Sequence, residues 1–290
     1  MGAQEVNEMT NPTNTPVQKT PIAVPIGMAV ITAIAIATAF WGAGFFGGTE
    51  TSDVAGGALS ADATPLAPAS SAFRIWSGIY VGLILYTLWQ FFPAARASQR
   101  QRALRPLALA SIVLNSVWLW VTQLDLLLLS VIVIAVLLAV LAWIMILLDR
   151  HKASGPVELV LNDGVFGLYT GWVLAATFAN LWAVLAESGV EQMTEVNFAI
   201  GGVIVVAAVS IIASILNHGR IAPALAVAWA LAWIAIGRTE GQFESEPLWW
   251  AAAASACAVI LVPAALTVRN LRARMATRKG ERQKPEPQPA

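Results

Sequence analysis

Apolar residues along this chain gather in long runs separated by short polar stretches, and they do not alternate with polar residues as they would on a half-buried strand. A run of about 17 to 25 apolar residues suits a helix crossing a hydrocarbon core of about 30 Å at 1.5 Å of rise per residue. Eight such runs are legible, at residues 25–47, 74–95, 106–122, 126–148, 164–186, 197–216, 221–237 and 248–268. The stretch from Pro106 to Leu148 is too long for one element, because a straight helix of that length would extend about 65 Å. Gln123 and Asp125 therefore mark a tight turn between two spans. The pattern predicts an all-α, polytopic membrane bundle of about eight transmembrane helices, the third and seventh being the shortest.

Composition points the same way. Of the 290 residues, 58% are apolar and 12% charged, and the mean hydropathy is +0.69, far above a soluble domain of this length. Charge placement supplies an independent check, because basic residues are retained on the cytoplasmic side of short loops. With the N-terminus inside, an eight-span topology puts all 17 basic residues except Arg74 and Arg238 on the cytoplasmic face. The opposite face holds acids such as Glu50, Asp53, Glu187, Glu191, Glu195, Glu240, Glu244 and Glu246. Seven or nine spans would place a basic cluster on the wrong side. The expectation is a multi-pass protein of the cell membrane with both termini cytoplasmic.

The ends and one connection differ from the spans. Residues 1–22 are polar, lack the basic start of a secretory signal, and read as a disordered cytoplasmic extension. Residues 269–290 read as a basic, disordered cytoplasmic tail. The connection from Gly48 to Ser71 is rich in Gly, Ala, Ser, Thr and Pro, a composition shared by flexible lids and by untethered surface loops.

Catalytic and metal chemistry have little to build on. Cys257 stands alone, and His151 and His218 fall in separate cytoplasmic loops without acids at ligand spacing. There is no Walker loop, no Gly-rich dinucleotide fingerprint and no Gly-x-Ser-x-Gly elbow. Ionisable residues are nearly absent from the spans, with Arg74, Asp125, Asp149 and Asp163 at their predicted ends. The chain is therefore not expected to be an enzyme, and neither catalytic nor metal-binding residues are assigned.

What the spans do contain is tryptophan and carboxamide. An amide in a bilayer must find a partner across a helix interface or line a cavity. Asn115 with Trp118, Trp76 with Tyr80, and Tyr169, Trp172, Ala176 and Asn180 form three stripes at helical spacing on three different spans. Gly78-x-x-x-Gly82 and Gly167-x-x-x-Gly171 lie beside two of them and would let backbones approach closely. Two readings follow: amides that bond across packed helices, or an interhelical pocket with flat aromatic walls and a few polar groups. The second makes Trp76, Tyr80, Asn115, Trp118, Tyr169, Trp172 and Asn180 the candidate ligand-binding residues.

These stripes also carry a family resemblance. Trp76-Ser-Gly-Ile-Tyr80 resembles the W-x-x-L-Y signature of the second helix in the TspO/MBR family, the tryptophan-rich sensory proteins that include the mitochondrial translocator protein. Leu114-Asn115-Ser-Val-Trp118 is similar to that family's Q-L-x-L-N-x-x-W segment, and Tyr169-Thr-Gly-Trp172 through Asn180 to its P-Y-L-x-W-x-x-F-A-x-x-L-N. All three occur in the family's order. Ser111 stands where the family has Gln, Leu168 where it has Pro, Ala175 where it has Phe and Ala179 where it has Leu. The motif resemblance covers residues 25–187, which suggests a five-helix TspO-like core over 23–187 followed by three additional transmembrane helices over 188–268. It implies binding of porphyrins, haem-related tetrapyrroles or other flat apolar molecules, for sensing or transport. No cofactor is required, porphyrin or haem entering only as ligand. With no histidine in a span, a haem would be held as a flat ring. The partners expected are membrane lipid and a hydrophobic small molecule, with no nucleic acid and a homodimer left open. The alternative is a small-molecule transporter whose path uses all eight helices, for which a cavity lined by the last three spans would speak.

Overall fold

The structure, a computed structural model, describes residues 19–42 and 57–282. Most of residues 1–22, part of the 48–71 connection and the end of the 269–290 tail lie outside the described residues. Eight long helices form among those described: α1 Ala23–Gly42, α2 Ile75–Trp89, α3 Gln99–Gln123, α4 Leu127–Arg150, α5 Val165–Glu187, α6 Val196–Leu216, α7 Ile221–Ile236 and α8 Glu246–Arg282. Six helical stretches are long and apolar enough to cross a membrane, while α1 and α7 are shorter apolar helices. Large apolar side chains such as Val81, Leu85, Ile132, Trp143, Ile204 and Ile212 face outward. That surface suits hydrocarbon, and the chain is a multi-pass membrane protein.

The turn expected at Gln123 and Asp125 is present. Asp125 adopts a left-handed conformation with φ 58°, which a short polar side chain tolerates better than most. The Leu126 N–H then reaches back to the Val121 carbonyl at 3.1 Å, closing α3 as a Schellman-type end. α3 itself starts at Gln99, earlier than the apolar run suggests, because the Ser98 hydroxyl caps it by accepting from the Gln101 N–H. α5 is entered through a helical turn at Pro156–Glu158 and a π-helical segment at Leu159–Gly164.

Two boundaries are corrected. α8 continues as helix to Arg282, so residues 269–282 are not irregular; Leu, Arg, Ala and Met sustain a helix after the apolar run has ended. At the other end, residues 19–22 are held rather than loose. The Thr20 N–H donates to the Arg96 carbonyl at 2.9 Å, and Arg105 reaches the Thr20 hydroxyl at 2.7 Å.

Helix contacts define the architecture. α1 packs on α2 and α3, α3 on α4, α4 on α5, and α5 back on α2, so the first five helices close a ring in the order 1-2-5-4-3. Polar bonds stitch that ring: Thr32 to Thr87 at 3.3 Å, Ser116 to the Ala35 carbonyl at 2.8 Å, and Tyr169 to the Ser111 carbonyl at 2.9 Å. The remaining helices form a second layer in which α8 packs on α6 and α7, and α7 packs on α5. Gly167 and Gly171 make the α5–α7 contact possible. A methyl group on Gly171 would lie 2.0 Å from the Pro223 carbonyl oxygen, and one on Gly167 would lie 2.7 Å from the Ala222 side chain. Of the other motif only Gly82 is crowded, by Val165, while Gly78 faces open space.

The basic end is closed by buried ion pairs. Arg100 of α3 donates to Asp163 at 2.7 Å and lies 3.6 Å from Glu158, and Arg220 before α7 meets Asp163 at 2.5 Å. Asp163 therefore does not snorkel to water as its place at a predicted span end suggests. Opposite charges from two other parts of the chain, Arg100 and Arg220, satisfy it inside the protein.

Candidate functional site

The site is built at the other end of the ring, where α2, α3 and α5 face one another. On α2, Trp76 and Tyr80 are one turn apart and stack with ring centroids 5.2 Å apart and planes 21° apart. Trp76 then meets Tyr169 edge-on at 5.7 Å and Trp172 at 6.3 Å, both from α5. Phe73, in the 3-10 turn Ser70–Arg74 that leads into α2, packs its edge against Trp172 at 5.7 Å. Edge-to-face pairs at these separations are the favoured aromatic geometry. The cluster is thus a preformed block of π-faces, with Tyr169 and Trp172 buried and Trp76 and Tyr80 half-buried.

The two amides sit at its borders, and each is half satisfied. The Asn115 amide donates to the Tyr80 hydroxyl at 3.1 Å, and its other end has no partner. The Asn180 amide oxygen lies 3.0 Å from the Ser130 hydroxyl of α4, which it shares with the Leu127 carbonyl at 2.6 Å, and its amide nitrogen has no partner. The amides thus bond across helices, and each keeps one buried group unspent. The Trp118 indole N–H is likewise buried without a partner. A buried polar group left unpaired costs about 1–3 kcal/mol, and three of them lie around this region.

Trp118, Trp172 and Asn180 line a cavity of about 60 Å³. Its floor on α5 is a row of small residues, Ala175, Ala176, Ala179 and Ala183, and α7 supplies Ala230 and Ile234. Two of those alanines, at 175 and 179, are positions where the motif resemblance would have placed Phe and Leu, so the departures from the motif widen this space. The roof is the segment Ala58–Pro68, which reaches over the cavity with Leu59, Thr64 and Ala67. That segment is no surface loop: Thr64, Leu66 and Ala67 are buried.

What holds the roof down comes from α7 and the turn after it. Arg238 donates to the Ala61 carbonyl at 3.1 Å and the Ala67 carbonyl at 3.4 Å, with its guanidinium 5.6 Å from the Phe243 ring centre. Burial lowers the pKa of this side chain, and Asp62 nearby opposes that shift. The Ala69 N–H donates to the Trp233 carbonyl at 3.1 Å, and the Trp229 indole donates to the Ala72 carbonyl at 2.8 Å. Counting Arg238 only as a basic residue outside the cytoplasmic face missed this role, because its partners are backbone carbonyls that no side-chain pattern announces.

All seven residues singled out by sequence thus fall in one region, with Trp76, Tyr80, Asn115 and Tyr169 in the aromatic block, Trp118 and Asn180 at the cavity, and Trp172 in both. A lid was one of the two readings of the 48–71 connection, and a wall from the last three spans belonged to the transporter alternative; the alanine row and the Arg238 anchor were not singled out. The advance signals for the alanines were the departures from the motif at 175 and 179 and the spacing of small residues at 176, 179 and 183 along α5. Among the described residues no group of His, Cys, Asp or Glu is arranged to hold a metal ion.

Comparison with known protein families gave a match over most of the chain. A family model described as TSPO-like protein covers residues 25–266, from the start of α1 into α8, and so continues through the three helices beyond the motif resemblance. No curated protein and no solved structure matches the chain. Model coverage of that extent, with the ring of five helices and the aromatic block inside it, makes the chain a member of the TspO/MBR family of membrane helical bundles.

Proposed function

We propose that this protein binds a planar apolar molecule, a porphyrin or other tetrapyrrole, between its helices, in sensing or transport rather than catalysis. One observation carries the reading: aromatic walls and two unspent polar groups, on Trp118 and Asn180, line one cavity under a separately anchored roof, with a third unspent group on Asn115 in the adjoining aromatic block. Indole faces stack on a planar ring, while Trp118, Asn115 and Asn180 offer hydrogen bonds to its polar edge. Both phenols are already engaged, Tyr80 with Asn115 and Tyr169 with Ser111. The ring, not a central metal, is what the site addresses.

Size sets a condition on this reading. A cavity of about 60 Å³ holds a few water molecules, whereas sites for drug-sized ligands enclose about 300–1,000 Å³. Binding therefore requires the Ala58–Pro68 roof to lift, and the small floor residues leave room once it does. The transporter alternative has one observation in its favour, the contribution of α7 to the cavity wall through Ala230 and Ile234.

The test is tryptophan quenching by protoporphyrin in detergent. Trp172→Ala and Asn115→Ala should each weaken the titration about tenfold while helical circular dichroism stays unchanged. Equal quenching of wild type and both variants would remove the pocket assignment. Protoporphyrin flux in proteoliposomes, set beside quenching, separates transport from sensing.

A further inference from the structure

A second cleft lies at the basic end of the bundle, on the other side of α5 from the aromatic block. It has a volume of about 470 Å³ and is walled by α4, α5, α6 and α7. Along α4 it runs from Leu138 to Arg150, roughly 18 Å of helix, which is close to the hydrocarbon depth of one leaflet, about 15 Å. Its chemistry is graded. Arg150, Asn217 and Arg220 stand at the mouth, Ser214 and then Ser210 follow one and two turns inward on α6, and Leu138 and Leu174 line the deep part.

Two features of this gradient are unexplained by the fold. Ser210 and Ser214 are 3% and 4% exposed, yet their hydroxyls hold no hydrogen bond to a described residue, not even to the carbonyl one turn back. Charge at the mouth is also unbalanced. Asp149 is neutralised by Lys152 at 2.7 Å, and Asp163 by Arg220 and Arg100. Arg150 is exposed and makes no ion pair among the described residues.

We propose that this cleft holds one phospholipid with an anionic headgroup, its phosphate against Arg150, its ester carbonyls accepting from Ser214 and Ser210, and one acyl chain lying along Leu138 and Leu174. The hydroxyls then gain partners that the protein does not supply. A guanidinium prefers a headgroup of net negative charge, because a zwitterionic lipid brings its own cation to the same place. This site is separate from the aromatic cavity and does not depend on what that cavity binds.

The experiment uses the full-length protein in mild detergent, offered equal amounts of phosphatidylglycerol and phosphatidylcholine with the same acyl chains, and read by native mass spectrometry. One phosphatidylglycerol should be retained per protein, at least fivefold over phosphatidylcholine. Arg150→Ala should bring that ratio close to one. Ser210→Leu, whose side chain would fill the cleft, should reduce retention of both lipids. Arg150 is on the surface, so its variant remains a fair test if Ser210→Leu does not fold. Equal retention of the two lipids by wild type, or a preference that survives Arg150→Ala, would overturn the assignment.

Discussion

The two small-residue motifs show how much a single atom decides. Gly78-x-x-x-Gly82 and Gly167-x-x-x-Gly171 are indistinguishable by spacing, yet Gly78 has nothing within 4 Å of where a side chain would start, and Gly171 has the Pro223 carbonyl oxygen at 2.0 Å. Gly171→Ala must push α7 away from α5, and overpacking of this kind costs about 1–3 kcal/mol. Gly78→Ala should be neutral or slightly stabilising, because alanine favours a helix over glycine by up to about 1 kcal/mol. Thermal unfolding in detergent should fall by several degrees for the first and hold or rise for the second; equal shifts would refute the close α5–α7 seat. The amides Asn115 and Asn180 were legible because a carboxamide in an apolar run has to be satisfied by something. Their partners were not: Ser130 turns to its own backbone, donating to the Leu127 carbonyl at 2.6 Å, and only the ring closure also brings its hydroxyl within 3.0 Å of the Asn180 amide oxygen.

Helices were legible from run length, since a bilayer allows few alternatives to a helix of about 20 apolar residues. The segment over the cavity was not. Its Gly, Ala, Ser and Pro composition suits a solvated loop, and its burial is imposed by Arg238, Trp233 and Trp229, which come from more than 150 residues later in the chain. Arg238 therefore acts as a clasp on the roof. Arg238→Met keeps most of the volume and removes the donors to the Ala61 and Ala67 carbonyls. Hydrogen bonds from a charged group contribute about 1.5–3 kcal/mol, so the opened roof should become roughly 10- to 100-fold more populated. Amide hydrogen exchange in peptides spanning 57–72 should accelerate accordingly, with exchange in α3 and α5 unchanged, and protoporphyrin should quench faster. If exchange rises throughout the protein, Arg238 is a general stabiliser and not a clasp; if it rises nowhere, the carbonyl contacts carry no weight.

At the scale of the whole molecule, the question is whether the ring of five helices is self-sufficient. Its packing suggests dependence on the second layer. α7 places Ala226 and Ala230 in the core of the ring while Ala224, Val227 and Leu231 belong to the core shared with α6 and α8. The same helix seats on Gly167 and Gly171, walls the cavity with Ala230 and Ile234, and is followed by the clasp. A chain ending at residue 187 would expose the glycine seat and lose both one wall and the roof anchor. The turn at Ser188 and Gly189, where both residues are exposed, offers a tolerant place to divide the chain. Residues 1–187 and 188–290, made as two co-expressed fragments, should copurify as one complex and quench with protoporphyrin as the intact chain does. The first fragment alone should bind at least tenfold more weakly and unfold at a lower temperature. If it instead matches the intact protein in both measurements, the five-helix ring is a complete binding unit, and the last three helices serve something other than the aromatic cavity.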